Sequence, residues 1–188
     1  MKLSKKVMVV GAVTALVGLV VPAAHAADPT DVIVSAGSLS ITSPTVANFT
    51  AVTLDGTAET TTAAMDAFSV TDARGTGAGW NTTVQATQFA EHNGTIYVAS
   101  GKTLAQNSLS MPAPTVAANG TDSANPTITA GPYSIDDTAA VKVASAATND
   151  GMGTYNFTQS GPLTLSIPST AYATTYRSDV TVSVVTGP

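Results

Sequence analysis

Apolar and polar residues alternate with period two along much of this chain. Beyond the first 26 residues no stretch keeps a 3.6-residue apolar repeat for three turns, so the pattern predicts strands. The clearest covers 80–89, where Trp80, Thr82, Val84, Ala86 and Gln88 share one face and Asn81, Thr83, Gln85 and Thr87 the other. A second covers 177–185, where Val180, Val182 and Val184 alternate with Asp179, Thr181 and Ser183. One apolar and one polar face suit a half-solvated antiparallel sheet. Shorter candidates are 31–34, 38–41, 49–54, 67–71, 95–99, 128–135, 140–144, 153–157 and 163–167. So many short strands predict an all-β domain, an antiparallel sandwich of Ig-like or barrel-like form. Pro112, Pro114, Pro126 and Pro132 fall within 111–132, which reads as a surface connection with at most edge-strand pairing.

Residues 1–26 have a different pattern: Lys2, Lys5 and Lys6, an apolar run over 7–21, then Ala24-His25-Ala26. These are the parts of a secretory signal peptide cleaved between Ala26 and Ala27. An apolar run of 15 residues is also shorter than the roughly 20 that a spanning helix needs. The expected mature chain, 27–188, is then one domain without a membrane anchor. It keeps four basic residues, Arg74, Lys102, Lys142 and Arg177, against twelve acids, a formal charge of −8. Scattered cations make no basic stripe, which argues against nucleic acid and anionic lipid as partners. With no cysteine, disulfides and thiolate metal sites are ruled out, and stability falls to packing.

Candidate chemistry is sparse. Gly75, Gly77 and Gly79 superficially resemble a phosphate cradle, but such a cradle opens a helix, and here a strand pattern follows. The run reads as a turn whose positive-φ positions lead the chain into Trp80. His92, in "EHNGT", is the one histidine beyond residue 26 and reads as a surface turn residue, with no serine elbow to serve. Glu59 and Glu91 show no spacing that marks a glycosidase pair. Asp72, Asp136 and Asp137 lie in no regular calcium loop. Neither catalysis nor a metal or cofactor is expected.

"GWNTTVQATQF" (79–89) and "YRSDVTVSVVTGP" (176–188) resemble the two signature segments of the WxL cell-surface domain of Gram-positive bacteria. Gly79 and Trp80 match the first segment; Tyr176, Val180, Thr181 and Pro188 match the second. Thr82 stands at the first leucine position, and Val182 and Val184 stand at the second tryptophan and leucine positions, so the chain resembles a divergent member. The resemblance extends loosely from about residue 32 onward. It implies export and non-covalent retention on the wall, through peptidoglycan or an associated polymer, beside other surface proteins. The stretch up to Pro188 shows no sorting tail or apolar anchor, in keeping with non-covalent attachment. The candidate wall-binding or motif residues are Gly79, Trp80, Thr82, Tyr176, Val180, Thr181, Val182 and Val184. Trp80 could offer a platform to a sugar ring, but the face it shares with Val84 and Ala86 favours the core, where such a ring buries about 150–250 Å². Ligand contacts would then come from loops and polar strand faces, including the 75–79 turn. An alternative is a structural subunit of a surface filament or matrix, a homo-oligomer assembled by β-strand exchange.

Overall fold

The computed structural model describes residues 29–120 and 123–187. The expected signal peptide, with its cleavage point between Ala26 and Ala27, and Pro188 lie outside the described residues. The chain divides into two units, Met1–Val34 and Ser35–Pro188. In the first, residues 29–34 form no strand and leave Val32, Ile33 and Val34 85, 91 and 88% exposed. The strand expected over 31–34 is absent because a strand needs a hydrogen-bonded neighbour, and this segment has none among the described residues.

The second unit is all-β. Its strands are β1 (Leu39–Ile41), β2 (Glu59–Ala63), β3 (Phe68–Asp72), β4 (Trp80–Ala86), β5 (Ala90–Glu91), β6 (Leu109–Met111) and β7 (Pro114–Ala118). They continue with β8 (Thr127–Ile128), β9 (Tyr133–Ser134), β10 (Val141–Ala146), β11 (Gly153–Gln159), β12 (Leu163–Ile167), β13 (Tyr176–Arg177) and β14 (Val180–Thr186). Three four-stranded antiparallel sheets result, ordered β1-β3-β11-β7, β14-β4-β10-β8 and β2-β12-β6-β9, with β13-β5 as a two-stranded ribbon. Rings lock the first sheet to the second. Within the first, Phe68 stacks on Phe157 at 4.8 Å, and across the gap Trp80 of the second meets Tyr155 at 5.9 Å and Phe157 at 6.3 Å. Leu109, Met111, Leu163 and Leu165 of the third sheet join the same buried cluster. Each such side chain removed from water contributes about 1.5–3 kcal/mol, and in a chain without cysteine this burial carries the fold.

Alternation explains the strands that the sequence predicts well. Every second residue of β4, from Trp80 to Ala86, is buried, and those between are half-buried. The proline-marked stretch opens with Met111 in the interior strand β6 and beyond it pairs only at edges, since β7 and β8 each end a sheet. The expected strand over 128–135 is split into β8 and β9, with Pro132, which has no N–H to give a ladder, in the gap. The strand expected over 95–99 is a tight loop instead. Asn93 Oδ1 accepts the N–H groups of Thr95 and Ile96, each at 3.0 Å, and this local turn takes the donors a ladder would use. The segment 49–54 is also irregular, although Thr50 N–H reaches Thr62 O at 3.3 Å. Its Thr50 carbonyl accepts from the Thr61 hydroxyl at 2.6 Å, a side-chain bond in place of a ladder bond. The strand expected over 177–185 breaks at Ser178 and Asp179, between β13 and β14.

Candidate functional site

The two segments that stand out in the sequence are neighbouring strands. β14 pairs with β4 from Val180 opposite Ala86 to Thr186 opposite Trp80, which sets Val182 against Val84 and Val184 against Thr82. Trp80 is fully buried, and its indole N–H donates to Gly151 O at 2.8 Å. No ring face is left open to a ligand. Thr82, in the place of a leucine, is also fully buried, and its hydroxyl has no hydrogen-bond partner.

The glycine run is a turn at the Trp80 end of this pair, with φ of +66°, +63° and +69° at Gly75, Gly77 and Gly79. At Gly79 a side chain is also excluded by space, since a Cβ would fall 2.5 Å from the carbonyl oxygen of Ala146. Arg74 staples the turn. Its Nε and Nη2 each bond one oxygen of Asp72 at 2.8 Å, Nη2 also bonds Gly79 O at 2.8 Å, and Nη1 reaches Thr186 Oγ1 at 2.8 Å. The guanidinium hydrogen bond holds the buried Asp72 carboxyl below the usual carboxylate range, and the same bond raises the pKa of Arg74.

At the other end of the β4–β14 pair a groove of about 680 Å³ opens. Phe89, Leu104 and Leu165 form its buried floor, and Phe49 stands edge-on to Phe89 at 5.7 Å. One wall is the segment 44–52, tied to the β2 region by Ala47 N–H to Ala64 O at 2.8 Å and by the Thr61 hydroxyl. The facing wall is 175–180. There the Tyr176 hydroxyl lies 3.2 Å from both N and O of Tyr172, and Asp179 Oδ2 accepts from Tyr97 OH at 2.8 Å. Burial first, then the Asp179 carboxylate, raises the Tyr97 phenol above its ordinary pKa. The Lys102 ammonium sits over the Tyr172 ring, Nζ lying 4.2 Å from its centroid.

Of the candidate residues, Tyr176 and Val180 line the groove; Gly79, Trp80, Thr82, Thr181, Val182 and Val184 do not. The structure adds Asn48, Phe49 and Asp179, on irregular backbone, and Arg177, at the end of β13. His92 corrects the sequence reading: it is buried, not a surface turn residue. Its Nδ1 accepts from Gly94 N–H at 3.0 Å, Tyr97 packs edge-on at 5.2 Å, and Arg177 Nη1 lies 3.1 Å from Nε2. Glu59 and Glu91 fall on different strands, β2 and β5, and the Glu91 carboxylate is occupied by Lys102 N–H at 2.9 Å and the Thr174 hydroxyl at 3.1 Å. Asp136 accepts from Ser108 N–H, the Ser108 hydroxyl and Leu109 N–H at 2.8–3.0 Å, while Asp72 is paired with Arg74. Among the described residues no three acidic or histidine side chains gather as metal ligands.

The fold and the groove define an all-β, sandwich-like domain with a buried tryptophan strand. Compared with known families, residues 20–188 match the WxL domain, described as surface cell wall-binding, and the chain belongs to that family. It is accordingly an extracellular, cell wall-associated protein. No curated protein and no solved structure matches it.

Proposed function

We propose that this domain holds non-covalently to the wall through the groove between 44–52 and 175–180, takes up peptidoglycan or an associated glycan there, and performs no chemistry. The groove itself carries this reading. Its floor is apolar, and its rim offers Asn48, Thr175, Arg177, Ser178 and Asp179. A sugar chain has the complementary make-up, with apolar C–H faces and hydroxyl edges, and binding sites of this kind combine an apolar lining with a few placed polar groups. The formal charge of −8 over 27–188 opposes a polyanionic polymer and favours an uncharged or zwitterionic glycan. Export by a signal peptide ending at Ala26, leaving 27–188 as one binding domain beside other surface proteins, belongs to the same proposal.

Co-sedimentation with purified sacculi tests it, with and without removal of their associated polymers. The protein should pellet with the walls, and Asn48→Ala combined with Arg177→Ala should weaken binding about tenfold or more, as expected for lost hydrogen bonds that include a charged donor. Wild-type protein that stays in the supernatant with a matched control, or a double variant that binds undiminished, would refute the groove.

A further inference from the structure

The outer edge of β14 carries no hydrogen-bonded strand, although β1 packs nearby and Arg74 Nη1 bonds Thr186 Oγ1 at its end. Thr87 N–H bonds Asp179 O and Gly187 N–H bonds Gly79 O, one at each end of the β4–β14 ladder. In an antiparallel pair residues alternate between those that bond the neighbour and those that point away. With the constant register of this pair, residues 181, 183 and 185 face β4. The N–H and C=O groups of Val180, Val182, Val184 and Thr186 therefore point away from it, and among the described residues none of them has a hydrogen-bond partner.

Other sheet edges are blunted. β1 has three residues, β8 and β9 two each, β7 begins with Pro114, and β2 is flanked by the 44–52 segment through bonds from Ala47 and Thr50. β14 has seven residues, "VTVSVVT", with no charge, proline or glycine. Such an edge is a template for one more strand.

A strand without a sheet also exists. Val32, Ile33 and Val34 are three consecutive β-branched residues left 85–91% exposed, which a soluble surface rarely tolerates without use. We propose that residues 31–34 of one copy add as a strand to the β14 edge of a second copy. Donor and acceptor are different surfaces, so the contact is heterologous and repeats, joining copies head to tail. The strand-exchange alternative thereby gains a named donor and acceptor, independent of what fills the groove.

Because the chain has no cysteine, disulfide trapping reads the contact cleanly. Protein starting at Ala27 and carrying Val32→Cys or Ile33→Cys is mixed with protein carrying Thr181→Cys or Val185→Cys under mild oxidation. At least one mixture should give a disulfide-linked pair of twice the monomer mass. In sedimentation velocity the unsubstituted protein should gain mass with concentration, and Ile33→Asp, which alters only an exposed residue, should stay monomeric. Val184→Pro in the acceptor removes an outward N–H that β4 does not use and should abolish trapping, with circular dichroism confirming that the sheet remains. The proposal is overturned if no mixture cross-links and the protein stays monomeric throughout, if Ile33→Asp associates as well as wild type, or if a doubly substituted chain links only within itself. Sacculus binding is a separate readout, so failure of either proposal leaves the other distinguishable.

Discussion

Two threonines give the packing argument a test with opposite signs. Thr82 and Thr61 are both buried, but the Thr82 hydroxyl has no partner, whereas Thr61 donates to Thr50 O at 2.6 Å. Valine replaces the hydroxyl by a methyl group of nearly the same shape. At position 82 this relieves a desolvated, unpaired hydroxyl, a penalty of about 1–3 kcal/mol. A domain of this size gains about 2–4 °C in Tm per kcal/mol, so Thr82→Val should melt about 2–12 °C higher. At position 61 the substitution deletes a made hydrogen bond worth about 1 kcal/mol, so Thr61→Val should melt about 2–4 °C lower. It also unties the 44–52 wall of the groove. Thermal melts by circular dichroism or calorimetry at neutral pH, on purified 27–188, decide the matter. A Thr82→Val protein no more stable than wild type would show that the hydroxyl is satisfied and that the β4 core is packed differently.

Three further outcomes are expected. Trp80→Phe loses the bond to Gly151 O and leaves a gap beside Tyr155 and Phe157, which should cost about 2–4 kcal/mol in urea unfolding. Gly79→Ala forces a side chain onto a positive-φ site and against the Ala146 carbonyl, and should cost at least about 1–3 kcal/mol by the same measurement. Asp72, whose pKa is depressed in the fold by Arg74, stabilises the protein above the unfolded aspartate value of about 3.9, and that stability is lost as pH falls through the folded value. The Tm gap between wild type and Asp72→Asn should therefore be widest near neutrality and shrink below about pH 4.

What the sequence disclosed depended on whether periodicity survived. β4 alternates cleanly and β14 does so around Val182, so their faces were legible before any coordinates, and so was the turn built from Gly75, Gly77 and Gly79. β2 reads "ETTTA", and nothing in that composition announces that Thr61 and Ala63 point inward. The 31–34 and 49–54 runs have strand composition, yet one finds no partner and the other spends a carbonyl on the Thr61 side chain. The burial of His92 was hidden because it depends on Tyr97 and on Arg177, which is 85 residues away. The groove was invisible for the same reason: its walls come from segments far apart in sequence. Tyr176 and Val180 entered the candidate list through family likeness, and no pattern in the chain pointed to Asn48 or Phe49 as their opposite wall.

The pairing of β4 with β14 joins residues 94 to 106 positions apart. The tryptophan strand must therefore wait for about a hundred further residues before this pair can form. Nothing local can substitute, since the ladder on its other side comes from β10, itself some 60 residues downstream. Pairings of this sequence separation make closure of the sheet a slow, late step of folding.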